Sequence, residues 1–190
     1  MVDKDIIHER GRSLEDDYFR KKDRELVEKL QRASAAETAR ADISKATGLS
    51  DPAIADELLA LGFTGETVAL LPIVPIVQVA WAEGGVSTAE RDLIVKFART
   101  RGIAEGSAAD TQLSAWMSAR PSEEVFARAG RLIRAMLDSG GAAGLSADDL
   151  VAYCENIASA SGGVFGIGKI SGEERALLSK LVSDLKGRQS

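Results

Sequence analysis

The sequence contains few of the residues on which many enzymes and secreted proteins depend. Its single cysteine, Cys154, excludes an internal disulfide. Its single histidine, His8, lies near the start of the chain, so no histidine-based triad or metal site can be assembled further along. Only four prolines are present, and no stretch alternates apolar and polar residues as a strand would. These absences predict an all-α protein without a disulfide framework.

Strong positive charge and long apolar runs are also lacking. The formal net charge is -5, which argues against general nucleic-acid binding, because phosphate contacts need a concentrated basic surface. The start of the sequence, MVDKDIIHER, has no apolar signal segment. The most apolar run is too short for a transmembrane helix, which needs roughly 20 such residues. We therefore expect a cytoplasmic protein.

Charged residues are concentrated at one end of the chain. Residues 1–40 contain 10 acidic and 10 basic side chains, and residues 13–40 contain no glycine or proline. This composition predicts a solvated helical arm over residues 1–40, followed by a globule over residues 41–190. The arm has a narrow apolar stripe, for which the globule, a second copy and a protein partner are alternative binding surfaces. The stripe consists of Leu14, Tyr18, Phe19, Leu26 and Leu30.

The globule is organised around residues 68–82, in which only Gln78 is strongly polar. Such a segment predicts a central helix that the other helices surround. Because proline is tolerated in a first helical turn, Pro72 and Pro75 predict a helix start near Leu71. After the glycines that end this helix, Ser87 and Glu90 have the spacing of a capping box.

Capping residues and apolar spacing predict the remaining helices. We expect a short helix over residues 38–47 that ends at Gly48, and a helix that begins after Asp51. The helix over residues 88–101 should bury Leu93, Ile94 and Phe97. Later helices should begin at three serine caps and near residue 171. These caps are Ser107, Ser122 and Ser146.

Two helical hairpins have related sequences, AWAEGGVSTAERDLIVKFA and ASASGGVFGIGKISGEERALLSKLV. Over about residues 66–186 they resemble the TerB-like helical family, named for tellurite resistance. The resemblance implies a compact bundle and a site for calcium or another divalent cation. Its ligands would be Glu83, Glu90 and Glu174, while Ser161 stands where the second hairpin would carry an acid. Glu90 and Glu174 also fit capping glutamates that need no metal.

The arm has a second resemblance, at Glu15-Asp16-Asp17-Tyr18-Phe19-Arg20 followed by Arg24, Glu25 and Leu26. These residues resemble the inhibitory helix of the rotary ATP synthase inhibitor protein, in which a charged helix with an aromatic pair inserts at a catalytic interface. The resemblance implies a partner-binding surface made of Leu14, Tyr18, Phe19, Arg20, Leu26 and Leu30. The alternative is a solvated helix whose aromatic pair packs on the globule.

No arrangement of nucleophile, base and orienting group is evident. Residues 163–169 have the glycines and lysine of a phosphate-binding loop, but Ile170 follows the lysine where Ser or Thr is required. Cys154 has the spacing of a core residue. Arg128, Arg131 and Arg134 form a basic strip, which indicates a solvated face or a docking surface for an acidic partner.

The preferred function is a non-catalytic adaptor or sensor that binds a protein partner and a metal ion. A regulator of a rotary ATPase, acting through the arm, is the alternative. The first function depends on both the globule and the arm, and the second depends on the arm alone.

Overall fold

The computed structural model describes residues 2–82, 84–138, 146–160 and 172–186, without the side chains of residues 2–17, 173, 174, 185 and 186. Within these ranges the chain forms α-helices and one 3₁₀ helix and contains no strand, which confirms the all-α prediction. The α-helices are α1 Val2–Thr47, α2 Pro52–Ala60, α3 Val74–Ala80, α4 Thr88–Thr100, α5 Ala108–Ser118, α6 Glu123–Asp138, α7 Ala147–Ala160 and α8 Gly172–Lys186. None of these described helices combines the length and the apolar composition needed to cross a bilayer.

Helix α1 is continuous to Thr47, so residues 38–47 are its last turns and the expectation of a separate short helix there is wrong. The Thr38 hydroxyl donates to the carbonyl oxygen of Ser34 at 3.0 Å, which is a bond within a helix and not an N-cap. Residues 31–47 contain no glycine or proline, and their many alanines favour helix propagation. The helix ends, as predicted, at Gly48, which has a φ of 72°.

The chain divides into two compact units, residues 1–39 and residues 40–190. The last turns of α1 belong to the second unit. Ile43 is 0% exposed and Thr47 is buried, while Arg40 forms an ion pair with Asp56 of α2. The Thr47 hydroxyl donates to the carbonyl oxygen of Ile43 at 2.8 Å and accepts from the Leu49 N–H at 3.2 Å. The core of the second unit therefore begins at Ile43.

The apolar segment is not one α-helix, because a 3₁₀ helix, Val68–Ile73, precedes α3. Pro72 and Pro75 lack the N–H groups that would bond to the carbonyl oxygens four residues earlier. Tighter bonds, such as that from the Val74 N–H to the Leu71 carbonyl oxygen, take their place. The expected α-helix start near Leu71 is thus shifted to Val74.

Helix α3 nevertheless lies at the centre of the second unit. It contacts α4, α6, α7 and α8. Val74, Ile76, Val77, Val79 and Ala80 are each at most 1% exposed, and Gln78 is half-buried. Such burial on all sides is typical of a helix without a solvated face.

The surrounding helices begin where their caps predict. The side chains of Asp51, Ser87, Ser107, Ser122 and Ser146 each accept from a backbone N–H in the first turn that follows. The prediction for Leu93 is wrong, because this side chain is 38% exposed while Ile94 and Phe97 are buried. Leu93 lies at the edge of the buried stripe of α4, one residue before the buried Ile94.

The two parts of α1 should respond differently to substitution. We expect Ile43→Ala to lower the free energy of unfolding by about 2–5 kcal/mol, because it leaves a cavity in the core. Leu30→Ala, on the same helix, should change it by less than about 0.5 kcal/mol, because Leu30 is 61% exposed. Urea unfolding followed by circular dichroism measures both. Equal effects of the two substitutions would contradict this division of α1.

Candidate functional site

The candidate partner-binding surface lies on the described side chains of the arm. Tyr18, Phe19, Leu26, Val27 and Leu30 are each 50–61% exposed. The Tyr18 and Phe19 rings meet edge to face, with centroids 5.9 Å apart and an interplanar angle of 73°. The arm thus presents two large aromatic rings beside aliphatic side chains. Val27 was not among the predicted residues. Its apolar side chain, next to Leu26 in the sequence, could have suggested it.

Charged side chains surround these apolar groups. Lys22 Nζ lies 5.7 Å from the centroid of the Tyr18 ring and 3.6 Å from Glu25 Oε2. Arg32 forms a hydrogen-bonded ion pair with Glu28 at 3.3 Å. Arg20, which was predicted to bind a partner, is exposed. The side chain of Leu14, also predicted there, lies outside the described residues.

Of the predicted metal ligands, the described one is Glu90. Its Oε2 accepts from the Ser87 N–H at 2.7 Å, and Ser87 Oγ accepts from the Glu90 N–H at 3.3 Å. This is the predicted capping box, and it lies in a buried position, since Glu90 is 2% exposed. One oxygen of this carboxylate, Oε2, therefore acts as the capping acceptor at the start of α4.

The other predicted ligands cannot be placed against Glu90. Glu83 and the Glu174 side chain lie outside the described residues. Within the described part of the chain, no group of three or more His, Cys, Asp or Glu side chains is arranged to hold a metal ion. Calcium takes 6–8 oxygen ligands, so Glu90 alone does not form a site. The metal site stays a prediction that rests on the resemblance.

The basic strip of α6 is not a free solvated face. Arg131 and Arg128 pair with Glu57 of α2, the latter at 3.8 Å, and Glu57 is only 15% exposed. Arg134 donates to the carbonyl oxygen of Asp184 at 2.6 Å, near the end of α8. These arginines therefore join α6 to α2 and α8, because each can reach an acceptor on a neighbouring helix.

Cys154 is a core residue, as predicted. It is 1% exposed, and burial raises the pKa of its thiol to about 12. The thiolate is the nucleophilic form of cysteine, and at neutral pH a pKa of about 12 leaves almost none of it. This thiol is therefore unsuited to covalent catalysis.

An apolar groove between α4 and α7 was not predicted from the sequence. It has a volume of about 390 Å³ and a floor that includes Ile76 and Ile157. Phe97 and Tyr153 pack with ring centroids 3.9 Å apart, and the exposed Leu93 and Lys96 lie at its edge. The sequence signal was the apolar residue at position 93 together with Tyr153, but only the packing of α4 on α7 brings them together.

Comparison of the chain with protein-family models, curated proteins and solved structures found no match. The resemblances to the TerB-like family and to the inhibitor protein therefore stay predictions.

The metal prediction has a direct test. A site that includes Glu83 and Glu90 should raise the melting temperature when millimolar calcium is added, because an ion that binds only the folded state stabilises it. Glu83→Gln should abolish this rise, while Glu105→Gln, at an exposed acid elsewhere in the chain, should leave it unchanged. Differential scanning fluorimetry measures the effect. An unchanged melting temperature in the wild-type protein would leave Glu90 with its capping role alone.

Proposed function

We propose that this chain is a non-catalytic adaptor that binds a protein partner through its helical arm. The observation that carries the proposal is where the exposed apolar side chains lie. Of the seven large hydrophobic residues that are exposed among the described side chains, five lie between residues 18 and 30. Singly exposed apolar residues are ordinary on a protein surface, whereas a concentrated group indicates an interaction site.

The chemistry of this group supports binding to a protein. Tyrosine and phenylalanine provide large contact areas with few rotatable bonds, and tyrosine is enriched among the residues that dominate binding energy. Arg20, Lys21 and Arg24 follow the aromatic pair and are exposed. A helix with an apolar centre and charged flanks fits a groove on a partner, where the charges select the orientation.

The sensor role and the TerB-like relationship form the second part of this proposal. In this part of the proposal the globule binds a divalent cation near Glu83 and Glu90. A cytoplasmic location and the absence of nucleic-acid binding complete the proposal, supported by one buried cysteine and a net charge of -5.

Replacement of the aromatic pair should abolish partner binding and leave the fold intact. We expect Tyr18→Ala with Phe19→Ala to weaken the interaction by about 30-fold or more, since an anchor of this kind contributes about 2 kcal/mol or more. The immobilised full chain would be used to isolate the partner, and biolayer interferometry with the purified partner would measure the affinity.

Lys29→Ala with Gln31→Ala is the matched control, because both residues are exposed on the same helix. It should bind as the wild type does. Circular dichroism should show equal melting temperatures for all three proteins. If the aromatic variant retains full affinity, the arm surface is not the binding site.

Regulation of a rotary ATPase is the second candidate, and the exposed Tyr18–Phe19 pair favours it. A peptide of residues 13–32 should slow ATP hydrolysis by a purified rotary ATPase, because an aromatic pair on a helix can insert at a catalytic interface. The same peptide with both aromatics replaced by alanine should not. If neither this peptide nor the full chain has an effect up to about 100-fold molar excess, an excess chosen to detect weak binding, this candidate is removed and the adaptor proposal is unaffected.

A further inference from the structure

The groove between α4 and α7 has one wall from each helix. The lining residues of a wall are three or four positions apart, so they lie on one side of their helix. On α4 they are Leu93, Lys96, Phe97 and Thr100, and on α7 they include Tyr153 and Ile157. The floor includes Ile76, which belongs to the central helix α3 and is fully buried. The groove therefore reaches down to the core of the second unit.

Exposed apolar side chains of the second unit are concentrated at this groove. Among its described residues, the large hydrophobic side chains that are exposed are Leu93 and Tyr153, at 38% and 37%. The two lie on opposite walls of the same groove. Single exposed apolar residues need no explanation, whereas a pair at one concave surface above a buried apolar floor is typical of a ligand site.

The edge of the groove carries a positive charge. Lys96 is exposed and forms no ion pair with any described side chain, although Asp92 precedes it by one helical turn. On the other wall, Asn156 has an exposed side-chain amide. None of the described residues that line the groove is acidic. The edge therefore offers an ammonium group and an amide N–H to an anion, without a carboxylate that competes for them.

From this combination we propose that the groove binds a small amphipathic anion, a monocarboxylate with an aliphatic chain. The chain lies between Leu93 and Tyr153, and the carboxylate lies at the edge, where Lys96 pairs with it. The reverse orientation would put the charge on the apolar floor, and burying an unpaired carboxylate is costly. The charge of Lys96 thus selects both the class of ligand and its direction in the groove.

The volume of the groove limits the size of this ligand. About 390 Å³ is near the lower end of the range of small-molecule sites, which have about 300–1,000 Å³. At about 30 Å³ per non-hydrogen atom, the share of one water molecule in the liquid, the groove holds about 13 such atoms. It therefore accommodates octanoate, and the chain of a long fatty acid would extend into solvent.

A protein partner would need a wider surface than this groove. A specific protein interface involves about 20–30 residues on each side. Eight described residues line the groove, and only Leu93 and Tyr153 among them are large, apolar and exposed. The groove therefore fits a small molecule better than a protein. This inference goes beyond the adaptor role, which concerns the arm, and does not depend on it.

Isothermal titration calorimetry of the full chain tests the class of ligand. We expect octanoate to bind saturably and about fivefold more tightly than 1-octanol or octyltrimethylammonium, because only the anion forms an ion pair with Lys96. Acetate should show no binding at the same concentrations, because it lacks the apolar chain. Absence of saturable octanoate binding, or equal affinity for the anion, the alcohol and the cation, would overturn the inference.

Substitutions in the groove locate the site. Lys96→Met keeps the apolar stem but removes the charge, so it should weaken octanoate binding about fivefold. Lys96→Glu should reverse the preference, so that octyltrimethylammonium binds more tightly than octanoate. Leu93→Ala should weaken octanoate binding about threefold or more, because it removes apolar contact area. The matched control is Lys29→Met, at an exposed lysine of the arm, which should bind as the wild type does.

Circular dichroism should show equal melting temperatures for these variants, because Leu93 and Lys96 are exposed. Unchanged octanoate affinity in Lys96→Glu or in Leu93→Ala would mean that the ligand binds elsewhere, and would overturn the inference. If octanoate does not bind, but Leu93→Ala weakens binding of the protein partner isolated with the full chain, the groove is a protein surface and the inference is also wrong. The adaptor role is tested separately, by the Tyr18 and Phe19 substitutions.

Discussion

The burial of residues 68–80 is the constraint on which the rest of the second unit depends. Almost every side chain in this stretch is apolar and excluded from water, so it is stable only when other helices cover it on all sides. α4, α6, α7 and α8 do so through their inward stripes, and their charged residues remain outside. The position of Glu90, the arginines of α6 and the groove beside Tyr153 all follow from how these helices are placed around α3.

Local signals made most helices predictable from the sequence. The contacts between helices could not be predicted in this way. Ser87, Ser107, Ser122 and Ser146 cap their helices because the acceptor and the donor are three residues apart, so the information is contained in the sequence nearby. Thr38 has the same chemistry, but its hydroxyl bonds backward into an uninterrupted helix. The difference depends on the alanine-rich residues around it, which have no breaker.

The candidate sites also combine features that the sequence predicts with features that only the packing of helices reveals. The narrow arm stripe could be predicted from composition, but its exposure could not, because docking on the globule fits the same residues. The groove at Leu93 and the pairing of Arg131 with Glu57 could not, since each joins residues far apart in the chain. The spacing of apolar residues within α4 or α6 does not indicate which neighbouring helix lies beside the edge of its buried face. Spacing therefore predicted which residues face inward better than it predicted what the outer residues contact.

The continuity of α1 has a consequence for the kinetics of the arm. Starting a helix is the unfavourable step, because several backbone dihedrals are fixed before the first hydrogen bond forms, whereas adding a turn to an existing helix is nearly free. Residues 40–47 are held helical by the core around Ile43, so they act as a permanent template. The arm can then lose and regain its helix by fraying and regrowth from one end, on a timescale of about a microsecond or less. A partner that meets the arm thus encounters a segment whose nucleation has already been completed by the globule, an advantage that an isolated peptide of the same sequence does not have.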